Sequence, residues 1–124
     1  MARQRPKYLD LWRIRLPLPG FVSILHRISG FGLFLFLPLL LWLFHSSLAS
    51  PDSYVHYRNA IANPLMKLIL IGLLWAFLHH LCAGLRFLAL DMHYGTDLPA
   101  ARNSSRAVLI VSILLTIVLG VLVW

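Results

Sequence analysis

Charge is scarce in this 124-residue chain: Asp, Glu, Lys and Arg together make up 12% of it, glutamate is absent, and 60% of the residues are hydrophobic. With a mean hydropathy of +0.80, this composition excludes a water-solvated globule, because a soluble domain of this size cannot hide long apolar runs from water. Cysteine is almost missing too. Cys82 stands alone, which excludes an intrachain disulfide and any paired-cysteine metal or haem-attachment motif, and leaves the thiol as a small packing residue. No internal repeat or low-complexity tract occurs, so one domain over residues 1–124 is the simplest organisation.

What the chain has instead is three apolar runs. Asp, Glu, Lys and Arg are missing from Ile28–Ser50, from Leu68–Leu85 and from Ala107–Trp124. With their flanks, these runs predict helices over about 21–48, 64–90 and 104–124, each long enough to cross a hydrocarbon layer of about 30 Å. The first follows the Pro17-Leu18-Pro19-Gly20 breaker and the second opens at Asn63-Pro64, where Pro suits a first helical turn. Between them, Ser50-Pro51-Asp52-Ser53 signals a turn, and the polar stretch through His56, Arg58 and Asn59 reads as the first loop. A second loop, rich in turn residues, runs from Asp91 to Arg106. Ser47-Leu48-Ala49-Ser50 faintly resembles a cleavage site, but the apolar run from Ile28 to Phe44 is too long for a secretory signal and reads as retained. The expected fold class is all-α: a membrane protein with three transmembrane helices, part of a heteromeric helical bundle.

A formal charge of +7 suits polyanion binding in a soluble basic protein, but the positions of the charges point to membrane topology. Arg3, Arg5, Lys7, Arg13, Arg15 and Arg27 precede or open the first run. Only Arg58 and Lys67 flank the first loop, whereas Arg86, Arg102 and Arg106 flank the second. The positive-inside rule therefore places the N-terminus and the second loop inside. Nucleic acid is not an expected partner. A basic start without a long transit peptide favours a bacterial inner membrane.

Polar residues inside apolar helices carry the functional signal. Ser23, His26, Arg27 and Gly30 recur at spacings of three and four, so they share one face at the inner end of the first helix. An ionised side chain in a membrane helix costs about 2.5–3.5 kcal/mol at the bilayer centre and less near the interface. Arg27 therefore either snorkels to phosphate headgroups or serves an anionic or quinone-type ligand. On the second helix, Gly72, Ala76, His80 and Gly84 recur every four residues as a stripe of small residues interrupted by one imidazole. Such a stripe either packs on another helix, with His80 hydrogen-bonding across it, or admits the face of a porphyrin with His80 as an axial ligand. In the second case Gly84, one turn from His80, leaves room for the flat ring. His79 is turned about 100° away and takes no role in the same site. Six residues separate His80 from Arg86, a rise of roughly 9 Å from the inner boundary, so haem propionates could reach inner-end cations. His45 is at the outer end and is a poor second ligand. A second imidazole would have to come from another subunit.

These residues also fall into two motifs in order. Ser23-Ile24-Leu25-His26-Arg27-Ile28-Ser29-Gly30 resembles the S-x-x-H-R-x-[ST]-G signature of the succinate dehydrogenase cytochrome b subunits. His80-Leu81-Cys82-Ala83-Gly84-Leu85-Arg86, followed by Asp91, is similar to that family's H-x-x-x-G-x-R...D signature. The likeness runs from Arg5-Pro6 and Leu9-Asp10-Leu11 to the terminal Leu122-Val123-Trp124. Phe87 departs from it, standing where many members have His, which weakens polar contacts near the haem.

The resemblance implies that His80 is one axial ligand of haem b, shared with a second small anchor subunit that supplies the other His. It implies haem-propionate contacts for His26 and Arg27, with Arg86 a weaker candidate, and a ubiquinone site formed in part by Ser23 and Arg27. FAD and iron–sulfur clusters would belong only to the flavoprotein and iron–sulfur subunits. Asp91 either orders the inner end of the second helix or is a loop carboxylate without function. The rival readings are a quinol:fumarate reductase anchor and a non-redox structural or transport subunit in which His80 and Arg27 make only interhelical hydrogen bonds.

Overall fold

The structure is a computed structural model that describes residues 15–124. Arg3, Arg5, Lys7, Arg13 and the Leu9-Asp10-Leu11 segment lie outside the described residues. Four helices follow in order: α1 (Leu18–Leu48), α2 (Pro51–Ala62), α3 (Pro64–Asp91) and α4 (Leu98–Val123). Three of them, α1, α3 and α4, are long and apolar enough to cross a membrane. At 1.5 Å per residue even α4, with 26 residues, spans roughly 39 Å, more than the hydrocarbon core of about 30 Å. The chain is a multi-pass membrane protein.

Local chemistry starts and stops these helices. Proline occupies the first turn of all four, where its missing N–H costs nothing. The Asn63 side chain accepts from the amides of Leu65 and Met66, and the Asp97 carboxylate accepts from that of Ala100. At the end of α3, Tyr94 N donates to the Ala89 carbonyl and His93 N to that of Leu90, the paired bonds of a Schellman stop. His93 takes the left-handed position at φ 64°, a slot usually given to glycine. Pro38 lies within α1; a membrane helix tolerates such a break where neighbouring groups satisfy the freed carbonyl.

Helix boundaries depart from the sequence expectation at three points. The stretch expected as the first loop is α2, closed at its start by a capping box in which Ser50 and Ser53 exchange hydrogen bonds. It buries no residue fully; Tyr57, Ala60 and Ile61 are only half-buried on one side, too short a stripe to stand out among its polar residues. The third spanning helix begins at Leu98, ahead of the expected start near residue 104, because Asp97 caps it and Pro99 fits its first turn instead of breaking it. Likewise α1 starts at Leu18, absorbing Pro19 and Gly20.

Helix α3 packs between α1 and α4, which also touch each other, while α2 rests on α1 and α3. The three spanning helices meet at Val22, Ala83 and Val108, with Cys82, Phe87 and Leu109 packed around them. On α4 the buried side is largely polar: Ser105, Ser112 and Thr116 are buried with Val108. Each hydroxyl donates to a carbonyl of its own helix, which satisfies it without a partner helix. Most large apolar side chains face outward, as expected for surfaces covered by lipid or by other membrane subunits.

Candidate functional site

Helices α1 and α3 run antiparallel and bring His26 and His80 face to face. Their rings stack with centroids 4.0 Å apart and planes 9° from parallel. Close approach depends on a glycine: a Cβ at Gly30 would lie 2.7 Å from His80 Cε1, inside any real carbon–carbon contact. Gly84, expected to leave room for a flat ring bound at His80, borders the recess beside the two imidazoles and faces His26. A Cβ there would lie 3.6 Å from His26 Nε2, an ordinary contact. Phe87 sets its ring edge-on to His26, centroids 5.1 Å apart.

Hydrogen bonds set the protonation of His80. Its Nδ1 lies 3.0 Å from the His26 backbone carbonyl and 3.2 Å from Ser29 Oγ. A carbonyl can only accept, so Nδ1 carries a proton, and in the neutral ring the lone pair is on Nε2. Beside these two rings is a recess of about 410 Å³, lined by His26, His80, Leu81, Gly84, Leu85, Phe87 and Leu88. It is apolar apart from the two imidazoles.

The other candidate residues separate around this recess. Ser23 is half-buried and Arg27 is exposed; the packed side of α1 carries Val22, His26, Ser29 and Gly30 instead. Arg86 is buried and turns to α4, where Nε donates to Ser104 Oγ at 2.9 Å and a terminal nitrogen donates to the Ala101 carbonyl at 3.3 Å. Its guanidinium also sits 5.5 Å from the centre of the Phe87 ring, within cation–π range. Asp91 is the exposed last residue of α3. His79 is fully buried and stacked on Trp75 at 5.3 Å. Neither of its ring nitrogens has a hydrogen-bond partner among the described residues.

The arrangement is an imidazole whose Nδ1–H is fixed by a backbone acceptor and whose ring borders an apolar recess in a membrane helix pair. The model of the succinate dehydrogenase/fumarate reductase transmembrane subunit family matches residues 1–119. This chain belongs to that family. Among similar proteins, the succinate dehydrogenase cytochrome b556 subunit of Coxiella burnetii is 39% identical over 125 residues, covering 100% of both chains. The subunit of the same name from Paracoccus denitrificans is 34% identical over 113 residues, covering 91% of this chain and 87% of its own. That of Rickettsia felis is 32% identical over 118 residues, covering 95% and 92%. The chain is accordingly a cytochrome b membrane-anchor subunit of the succinate dehydrogenase type.

Within such an anchor subunit, the residues that sequence reasoning left without a role are Ser29 and the His26 carbonyl. Ser29 stood inside the first motif, three residues after His26, and that spacing was its only signal. A backbone acceptor leaves no trace in residue types.

Proposed function

We propose that this anchor subunit holds one side of a haem b through His80 Nε2 and helps to line the pocket where ubiquinone is reduced. The observation that carries the proposal is the state of His80: proton on Nδ1 toward the His26 carbonyl, lone pair on Nε2. Iron needs a neutral imidazole in that tautomer, and metal-binding histidines characteristically give the other N–H to a fixed acceptor. The surroundings fit the group. The recess beside His80 offers apolar walls from Leu81, Leu85 and Leu88 and a side-chain-free stretch at Gly84, suited to one face of a porphyrin.

Haem bound there supplies a one-electron couple within the membrane. In this reading a His of a second small anchor subunit would also hold the iron, and His26 and Arg27 would hold the propionates. Arg86 is the weaker candidate because its guanidinium already serves α4. Ser23, half-buried, and Arg27, exposed, lie one turn apart near the start of α1. A quinone pocket there takes its other walls from the iron–sulfur subunit and the second anchor. Reduction of the quinone builds negative charge on an oxygen, and a hydroxyl beside a guanidinium stabilises that charge and offers a proton route. FAD and the iron–sulfur clusters sit in the partner subunits, docked on the inner face of a bacterial inner membrane beside this chain's N-terminus.

The family description covers both succinate dehydrogenase and fumarate reductase, and the names of the relatives favour the succinate direction. The test is purification through a tag on this chain in mild detergent. Flavin, iron–sulfur clusters and a haem absorption band should accompany it, together with succinate:quinone activity. A colourless preparation lacking those subunits would remove the proposal.

A further inference from the structure

Resting on the reading of His80 as an iron ligand, we infer that Ser29 is a positioning residue that fixes the proton of His80 and strengthens it as a donor. Three atoms form a closed triangle. Ser29 Oγ donates to the His26 carbonyl at 2.9 Å, His80 Nδ1 lies 3.0 Å from the same carbonyl, and Nδ1 and Oγ are 3.2 Å apart. The hydroxyl proton is committed to the carbonyl, so Oγ faces Nδ1 with lone pairs only. Nδ1–H is therefore shared between two acceptors, and the alternative tautomer, which would set an Nδ1 lone pair against both oxygens, is excluded electrostatically.

Burial makes the arrangement effective. Ser29 is only 5% exposed, so water does not stand in for its oxygen, and the hydrogen bonds act in a medium of low dielectric. An N–H held by acceptors pushes electron density into the ring and raises its basicity at the far nitrogen. The neighbouring Gly30 clears the space that His80 Cε1 occupies. Two consecutive residues of α1 thus act on one imidazole, Ser29 setting its proton and Gly30 its position.

The experiment uses the complete membrane complex with Ser29→Ala, Ser29→Thr and His80→Ala, reading haem content, ferric-haem electron paramagnetic resonance and the haem midpoint potential. Ser29→Ala should keep its haem but raise the midpoint potential, because a weaker donor stabilises the ferric state less. The His26 carbonyl, released from the hydroxyl, recovers part of the effect without cancelling it. Ser29→Thr, which retains the oxygen, should restore the wild-type potential. If the alanine complex does not assemble, Ser29→Cys, with a poorer acceptor, should shift the potential in the same direction. An unchanged or lowered potential in Ser29→Ala or Ser29→Cys overturns the role of Ser29 while leaving the ligand reading intact, provided His80→Ala loses the haem. If His80→Ala keeps the haem, the ligand reading falls and this inference falls with it.

Discussion

Replacing Gly30 with Ala places a methyl group 2.7 Å from His80 Cε1 and 3.2 Å from His80 Nδ1. Carbon atoms prefer to be about 3.5–4.0 Å apart, so the imidazole must retreat by roughly 1 Å. A side-chain tip can often give that much, but this ring is stacked on His26 at 4.0 Å and tied at Nδ1 to the His26 carbonyl at 3.0 Å. Retreat therefore breaks the hydrogen bond that fixes the tautomer. Overpacking costs about 1–3 kcal/mol, and the lost bond adds about 0.5–1.5 kcal/mol. If that cost falls on the haem-binding geometry, affinity drops roughly ten- to a thousand-fold, at about 1.4 kcal/mol per factor of ten. The assay is the haem-to-flavin ratio of the purified complex, with Gly32→Ala as the control, since a Cβ at Gly32 meets none of the described residues within 4 Å. Full haem content and a wild-type spectrum in Gly30→Ala would show that the fit between Gly30 and His80 does not matter to the cofactor.

Other expectations test separate parts of the site. Arg86→Ala removes a buried donor to Ser104 and to the Ala101 carbonyl, which should cost about 1.5–3 kcal/mol and lower the thermal midpoint of the complex. Arg86→Ala complexes that keep both haem and midpoint potential would confine Arg86 to the α3–α4 joint. Arg27→Ala and Ser23→Ala should reduce succinate:quinone activity more than succinate oxidation by an artificial acceptor; equal losses would place these residues away from the quinone. His79→Phe should leave thermal stability unchanged or raised, because a buried imidazole without hydrogen-bond partners among the described residues sacrifices about 1–3 kcal/mol per unmet group. A large destabilisation there would reveal a partner for His79 in the assembled complex.

Much of this architecture was legible because lipid imposes a coarse rule: long stretches without charge become helices. The rule fails at α2, where His56, Arg58 and Asn59 hide a helix stabilised by its Ser50 cap rather than by burial. It also misplaces the start of α4, since Pro99 is a breaker in the middle of a helix but a starter behind Asp97. For the site, helical spacing and the two motifs brought His26, His80 and Gly84 forward together. Spacing within one helix says nothing of the register between two, so it does not disclose that Gly30 of α1 is the glycine that admits the His80 ring. The same blindness grouped Arg27 with His26, although α1 turns His26 to α3 and leaves Arg27 exposed. Nothing in the residue types discloses that a backbone carbonyl at position 26 decides the tautomer at position 80.

The proposed cofactor site turns on His80 Nε2, and a reduced-minus-oxidised spectrum of the His80→Ala complex reaches it most directly. Membranes carrying the variant should contain the anchor and its partners with the haem band abolished or altered in position. A band of wild-type position and intensity, from a complex of wild-type subunit composition, would mean that the iron is held elsewhere.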